Sequence, residues 1–237
     1  MATKKNKEIT EEHLIKIKPI TDNQKIAVKA YKDGKNLFQY GAAGTGKTFL
    51  SLYLALQDVL DLKTPYHRVC IVRSLIPTRD IGFLPGDHDD KSALYQVIYQ
   101  NMVQFMFKMP NELAFSMLYQ NLQQQETLHF LSTSLLRGIT FDNSIIIVDE
   151  CQNLNFHELD TIITRVGQNS KICFAGDFFQ SDLVRTNEKN GLHDFIRIVE
   201  NMKSFNVTEY TIADIVRSGF IREYLIEKTK LGLGMEQ

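Results

Sequence analysis

The stretch "GAAGTGKT" at residues 41–48 decides how the rest of the sequence is interpreted. It matches the pattern G-x-x-x-x-G-K-[ST] at every fixed position. The β-favouring run "NLFQY" precedes it, and the helical pattern "TFLSLYLALQDVL" follows it. A chance glycine-rich turn is the alternative, but a loop between a strand and a helix can point successive backbone N–H groups at phosphate oxygens. The stretch therefore predicts a phosphate-binding loop.

Short β-favouring runs alternate with longer helical patterns along the rest of the chain. Besides residues 36–40, the predicted strands are 68–73, 127–132, 144–150, 171–177 and 206–210. The predicted helices are 48–60, 92–107, 156–167, 191–202 and 212–230. This alternation is typical of right-handed crossovers between parallel strands. We expect an α/β fold in which helices cover both faces of a mostly parallel sheet.

The composition limits the class of protein. The 237 residues are 43% hydrophobic, which is enough to bury a core, and the net charge of -1 gives no overall basic field for nucleic acid. Any nucleic-acid contact is therefore expected to be local. Residues 1–18 are rich in charge and predict a peripheral amino-terminal arm, with Pro19 at the start of a domain over residues 19–237.

Cysteine usage and hydropathy predict the location. Cys70, Cys151 and Cys173 are scattered and form no CxxC pair, which indicates a reduced, cytoplasmic chain. The first residues resemble no export signal, and no apolar stretch approaches the roughly 18 residues that a membrane span requires. We expect a cytoplasmic protein without membrane contact.

A second stretch, "IIIVDECQ" at residues 145–152, runs from branched aliphatic residues directly into two carboxylates. A strand that simply reaches water is the alternative interpretation. In an α/β fold, however, ligands bind beyond the carboxyl ends of the parallel strands. Asp149 is therefore predicted to hold Mg²⁺ together with the hydroxyl of Thr48, and Glu150 is predicted to act as general base towards an attacking water.

The predicted phosphate-binding loop contains one lysine and three glycines. Lys47 is expected to reach the β- and γ-phosphates of a bound nucleotide. Three glycines of the loop are expected to supply conformations that a Cβ would obstruct. The predicted nucleotide-binding residues of the loop are Gly41, Ala42, Ala43, Gly44, Thr45, Gly46, Lys47 and Thr48.

Three further features resemble superfamily-one helicases. The pair "DECQ" and "GDFFQ" is similar to their second and third motifs, which implies that Gln180 contacts the γ-phosphate. Gln24 resembles their adenine-reading glutamine in its spacing from Gly41, although an exposed helix position explains it equally well. Arg217 in "DIVRS" resembles the arginine that these enzymes set on the γ-phosphate to stabilise developing charge; a helix cap or surface arginine is the alternative.

The order of several stretches resembles the PhoH-like ATPases. These are "GAAGTGKT", "VRSLIPTRDIGFLPGD", "LLRGITFDNSIIIVDECQN", "TRVGQNSKICFAGDFFQSDL" and "DIVRS", which together cover about residues 24–217. The chain looks like a phage-type member, and the resemblance implies a single RecA-like P-loop NTPase domain that hydrolyses ATP with Mg²⁺. The most family-specific piece is "GFLPGD" at residues 82–87, although a turn that caps a helix explains it equally well.

The sequence departs from the family pattern at two positions. Cys151 stands where the family usually has alanine, and this exchange of small residues leaves the site intact. Ile139 stands where the family usually has a second arginine, so Arg137 alone remains as a charged contact in this segment. The departure weakens a nucleic-acid role for residues around it.

Too few residues follow Gln180 for a second motor lobe. We therefore expect a single-lobe ATPase that forms a homo-oligomer, with a hexameric ring as one form, or that acts on a partner; the resemblance admits single-stranded RNA or DNA. Two other classes stay open: a P-loop kinase that phosphorylates a small molecule, and a nucleotide-binding interaction module. The kinase leaves "DECQ" and "GDFFQ" unexplained, and an intact Glu150 argues against the module.

Overall fold

A sheet of six parallel strands forms the centre of the molecule. The computed structural model describes residues 9–74, 88–133, 136, 138–178 and 191–231. The strands lie in the order β3-β2-β4-β5-β1-β6, and each neighbouring pair is parallel. Their bounds are β1 (Asn36–Gly41), β2 (Arg68–Arg73), β3 (Leu128–Ser132), β4 (Ser144–Val148), β5 (Lys171–Gly176) and β6 (Phe205–Tyr210).

The central strands are apolar on both faces because helices cover both. Every residue of β4 and β5 is buried. Since successive side chains of a strand point to opposite faces, Ile145 and Ile147 join one core cluster, whereas Ile146 and Val148 join the other. An uninterrupted run of branched aliphatic residues is what a strand buried on both faces requires.

Seven α-helices lie within the described residues. They are α1 (Asp22–Lys32), α2 (Lys47–Leu60), α3 (His88–Met106), α4 (Glu112–Gln124), α5 (Phe156–Ile163), α6 (Leu192–Glu200) and α7 (Gly219–Lys230). Side chains of α1 to α4 pack into one core cluster, and those of α5 and α6 into the other. The predicted α/β fold, with helices on both faces of a parallel sheet, is confirmed.

Two helices, α1 and α4, were not predicted from the sequence. Both begin at a side-chain cap, because Thr21 accepts from the N–H of Gln24 and Asn111 accepts from the N–H of Ala114. The apolar stripe of α1 is short, with Ala27 and Tyr31 as its buried apolar residues. A weak stripe gives little periodicity, so the capping residues carried the main signal for this helix.

The prediction of one helix over residues 212–230 is wrong. The structure has a 3₁₀ turn at Ile212–Asp214, and α7 begins only at Gly219. Thr211 caps the turn, and Ile215 is extended with ψ 116°. Because the chain leaves the helical path here, the N–H of Val216 reaches the carbonyl oxygen of Gly44 at 3.1 Å.

Residues 9–18 of the predicted charged arm lie against the domain. Ile9 and Leu14 belong to a core cluster. The N–H of Ile15 donates to the carbonyl of Met106 at 2.8 Å, and the hydroxyl of Tyr53 donates to the carbonyl of Ile15 at 2.9 Å. This part of the segment therefore contributes apolar side chains and backbone hydrogen bonds to the fold despite its charged composition.

Within the part of the chain that the structure describes, no helix is long and apolar enough to cross a bilayer.

A buried polar chain connects β1 to α2 and β6. Gln39 is fully buried; its amide nitrogen donates to the hydroxyl of Ser51 at 2.7 Å, and its amide oxygen accepts from the hydroxyl of Tyr210 at 2.7 Å. Buried polar groups are costly when they lose a partner. These two bonds therefore favour one arrangement of the helix and the edge strand around β1.

We expect Tyr210→Phe to lower the free energy of unfolding by about 1–3 kcal/mol, because the amide oxygen of Gln39 would stay buried without its donor. Tyr119→Phe is the matched control: its hydroxyl is also buried but has no hydrogen-bond partner among the described residues, so the change should be close to neutral. Urea unfolding of both variants measures the difference. An equal loss in the two variants would contradict the role of the Gln39 chain.

Candidate nucleotide-binding site

The candidate site lies at the carboxyl edge of the sheet, where three neighbouring strands end. β1 lies beside β5, and β5 lies beside β4. The phosphate-binding loop follows β1, Asp149 follows β4, and Asp177 follows β5. The topology therefore brings together groups that are far apart in the sequence, as expected for an open α/β sheet.

The backbone of the loop depends on glycine at its first position. Gly41 has φ +117°, and a Cβ there would lie 2.0 Å from the carbonyl oxygen of Tyr210. Gly46 has φ +82° and is the N-cap of α2, so the helix begins directly at Lys47. The amino end of α2, with its unpaired N–H groups and positive dipole end, thus opens onto the loop.

Lys47 is held inside the loop by oxygen atoms. It is 4% exposed, and its ammonium donates to the carbonyls of Gly41 at 3.2 Å and Ala42 at 2.8 Å. It also forms an ion pair with Asp177, at 2.7 Å between Nζ and Oδ1. The buried cation therefore has both neutral and charged acceptors at the place where a phosphate would bind.

The predicted magnesium ligands are in direct contact. The hydroxyl of Thr48 donates to Oδ1 of Asp149 at 2.6 Å, and Asp149 is 6% exposed. A hydroxyl beside a carboxylate is a set of hard oxygen donors, which suits Mg²⁺. The described residues contain no cluster of three or more His, Cys, Asp or Glu side chains that could hold a metal. The Thr48 hydroxyl and the Asp149 carboxylate would supply two oxygen ligands, which fits the way in which Mg²⁺ is held by one or two protein groups together with substrate phosphates.

Two side chains that sequence reasoning missed also reach these carboxylates. The hydroxyl of Tyr99, from α3, donates to Oδ2 of Asp149 at 2.6 Å. Arg73, at the end of β2, lies 3.6 Å from Asp149 and 3.9 Å from Glu150. Burial raises the pKa of Tyr99, and the Asp149 carboxylate raises it further. Tyr99 therefore remains a hydrogen-bond donor at neutral pH.

Glu150 has an unusual backbone and a defined side-chain partner. Its φ of 52° and ψ of 45° lie in the left-handed region, which non-glycine residues adopt at a cost. The amide nitrogen of Gln152 donates to the Glu150 carboxylate, and its amide oxygen accepts from the N–H of Asp177 at 3.2 Å. Burial raises the pKa of Glu150, and Asp149 and Asp177 raise it further, whereas Arg73 opposes them.

The structure puts Gln24 and Arg217 beside the loop. Gln24 is buried, contrary to the exposed-position alternative; its amide nitrogen donates to the Thr45 carbonyl at 2.9 Å, and its amide oxygen accepts from the N–H of Ile20 at 2.7 Å. Arg217 is an exposed residue, but its side chain runs past Gly44, where an added Cβ would lie 3.1 Å from its Cγ. Both residues therefore contact the loop of their own chain, and their roles towards a nucleotide stay predictions.

Several predicted positions lie outside the described residues: Gln180, Arg137 and residues 82–87. Among the residues that were missed, Asp177 and Gln152 belong to the quoted motifs "GDFFQ" and "DECQ", so their positions carried a signal. Arg73 begins the quoted stretch "VRSLIPTRDIGFLPGD" together with Val72 and ends a predicted strand, so its position carried a signal too. Tyr99 carried none that a single sequence offers, since it reaches the site from α3.

Comparison with known proteins assigns the family. A family model described as "PhoH-like protein" matches residues 16–227. The chain belongs to the PhoH-like family. It is 36% identical over 178 residues to Protein PhoH2 of Bacillus subtilis. That alignment covers 73% of this chain and 39% of the Bacillus protein. It is 30% identical over 208 residues to a PhoH-like protein of Synechocystis. That alignment covers 85% of this chain and 59% of the Synechocystis protein.

This PhoH-like chain thus spans about two fifths to three fifths of the length of those two relatives. Among solved structures, the large terminase from a thermophilic bacteriophage matches 89% of this chain and 50% of its own, with a TM-score of 0.55 and 9% sequence identity. At that identity the likeness concerns the fold alone. It agrees with the predicted α/β fold around a parallel sheet.

We expect Gly41→Ala to destabilise the protein by more than Gly34→Ala. Both glycines have positive φ, so an alanine is strained at either position, by about 1–2 kcal/mol. Only at Gly41 does the new Cβ also collide with backbone, whereas no atom lies within 4 Å of the corresponding position at Gly34. Urea midpoints of the two variants provide the measurement. Equal midpoints would show that the contact with Tyr210 does not constrain the loop.

Proposed function

We propose that this PhoH-like protein binds ATP and hydrolyses it in a Mg²⁺-dependent reaction. The observation that carries the proposal is the direct contact between Thr48 and Asp149, at 2.6 Å, beside the buried ammonium of Lys47. A hydroxyl, a carboxylate and a cation at the amino end of a helix form the set that a magnesium nucleotide requires. The family assignment supports a P-loop NTPase in general.

Each residue has a separate task in the proposed reaction. Lys47 binds the phosphates, for which it exchanges its contact with Asp177. Mg²⁺, when bound, would offset the negative charge of the phosphates. Glu150 orients the attacking water and accepts its proton, and the raised pKa of its carboxylate favours that task because a base acts best when its pKa lies close to the working pH.

A partner for the proposed ATPase follows from its resemblance to helicases. Single-stranded RNA or DNA is the partner proposed from the resemblance to helicases. The near-neutral net charge of -1 means that such a partner would contact a local surface.

We also propose that the active form is a homo-oligomer in which a second copy covers α7. This helix contains no buried residue, and Phe220 is 80% exposed and Tyr224 63% exposed. Exposed aromatic side chains in one region favour a protein interface. The helix also borders the phosphate-binding loop, because Leu225 lies next to Gly44. A neighbouring subunit at α7 would therefore shield the nucleotide from solvent.

We expect Lys47→Ala to weaken ATP binding roughly 10- to 100-fold, since a charge-assisted contact is lost. Glu150→Gln should bind ATP as the parent does but hydrolyse it roughly 10²–10⁴ times more slowly, because the amide cannot accept the proton of the water. Fluorescent nucleotide titration and phosphate release measure the two effects. Glu200→Gln, an exposed position on α6, is the control for the second variant.

Hydrolysis by Glu150→Gln at the parent rate would refute the assigned base. Transfer of phosphate to a small molecule in place of water would favour the kinase alternative. The same assay with single-stranded RNA or DNA tests the partner: stimulation supports it, and an unchanged rate with both polymers argues against it.

We expect that mixing Arg217→Ala with Lys47→Ala does not restore activity. The Arg217 side chain runs past Gly44 of its own loop, so it should act on the nucleotide bound by its own chain. ATP turnover of the mixture is the measurement, with light scattering to establish that mixed oligomers form. Recovered turnover would show instead that Arg217 acts across an interface. A fully active monomer would refute the oligomer proposal.

A further inference from the structure

We propose that Tyr99 is a positioning residue that fixes the Asp149 carboxylate for Mg²⁺ binding. The inference rests on the proposed nucleotide site and adds to it a residue from α3. The observation behind it is that both oxygens of Asp149 have a short hydrogen bond. Oδ1 accepts from Thr48 at 2.6 Å, and Oδ2 accepts from Tyr99 at 2.6 Å. A carboxylate held at both oxygens has little freedom to rotate.

The direction of the second hydrogen bond follows from the chemistry of its neighbours. The guanidinium of Arg73 lies 3.5 Å from the hydroxyl oxygen of Tyr99 and can only donate to it. The ionised carboxylate of Asp149 can only accept. The hydroxyl of Tyr99 therefore accepts from Arg73 and donates its proton to Asp149, so its orientation is defined from both sides.

Packing fixes the place of this hydroxyl. Tyr99 is 1% exposed, and its ring lies against that of Phe130 in β3, with the centroids 5.4 Å apart. β3 pairs with β2, whose last residue is Arg73, and β2 pairs with β4, which leads to Asp149. The tyrosine, the arginine and the carboxylate are thus attached to adjacent parts of one rigid sheet and its covering helix.

This arrangement matches a general feature of metal sites. Groups that hydrogen-bond to a ligand orient it, and their removal typically costs about 10- to 100-fold in metal affinity. Tyr99→Phe removes only the hydroxyl and keeps the ring that packs against Phe130. Oδ2 of Asp149 would then lose its closest donor, and the carboxylate could turn away from Thr48.

The test is a Mg²⁺ titration of fluorescent ATP-analogue binding to the full chain, with binding in EDTA as a second readout. For Tyr99→Phe we expect a midpoint about tenfold higher in Mg²⁺ than for the parent, while binding in EDTA is unchanged. Turnover at low Mg²⁺ should fall and should recover at high Mg²⁺. Tyr119→Phe is the matched control, since it removes another buried hydroxyl, one without a hydrogen-bond partner among the described residues.

Each outcome decides between the possibilities. An unchanged Mg²⁺ midpoint in Tyr99→Phe would overturn the positioning role and leave the proposed ATPase intact. Loss of nucleotide binding in EDTA as well, with Tyr119→Phe still binding, would show that the hydroxyl supports the fold generally, and this would also overturn the inference. A parent protein whose nucleotide binding does not respond to Mg²⁺ would refute the proposed function, and the inference with it.

Discussion

Burial of charge at the carboxyl edge of the sheet is the constraint on which the rest of the structure depends. Lys47 and Asp149 are 4% and 6% exposed, and a charge removed from water is costly without partners. Their partners come from separate elements: α3 supplies Tyr99, β2 ends at Arg73, and Asp177 follows β5. The partners of both buried charges therefore come together only when these separate elements pack at one edge of the sheet.

The sequence predicted the parts of this arrangement that are local. Runs such as "SIIIV" predicted strands because burial on both faces demands apolar residues at consecutive positions. The stretch at residues 41–48 predicted a loop between a strand and a helix, and the structure has β1 before it and α2 after it. The contact of Tyr99 with Asp149 could not be predicted, because it arises only when α3 packs beside the sheet. Arg73 was missed although it ends a predicted strand and lies in a quoted stretch, because which strand lies beside β4 is not given by the sequence. The start of α1 and the break before α7 depend on the capping residues Thr21 and Thr211, which a search for hydrophobic periodicity does not detect.

A second polar connection holds the segment that carries Arg217. The amide of Asn23 donates to Asp214 at 2.8 Å and to the carbonyl of Glu209, which joins the start of α1 to the end of β6 and to the turn that follows it. Burial alone would raise the pKa of Asp214, but hydrogen bonds from Thr21, Thr211 and Asn23 lower it overall. Its ionised form therefore stabilises the fold above the ordinary carboxyl pKa, and this contribution is lost as the pH falls through the lowered value.

In its ion pair with Lys47, the Asp177 carboxylate occupies the position in which a phosphate is proposed to bind. In the proposed reaction a phosphate would replace the Asp177 carboxylate as the partner of the Lys47 ammonium, so the net charge beside the ammonium would change less than if Lys47 had no anionic partner. A preference for phosphate over the Asp177 carboxylate would then depend on the positions of the hydrogen-bond donors. The loop backbone can offer several N–H groups to a phosphate, whereas the carboxylate pairs, among the described residues, with Lys47 alone. The backbone N–H of Asp177 also donates to Gln152, and Gln152 donates to Glu150, so one chain of hydrogen bonds connects the two acidic residues. In the proposed reaction, phosphate binding at Lys47 would therefore be linked through Asp177 and Gln152 to the position of Glu150.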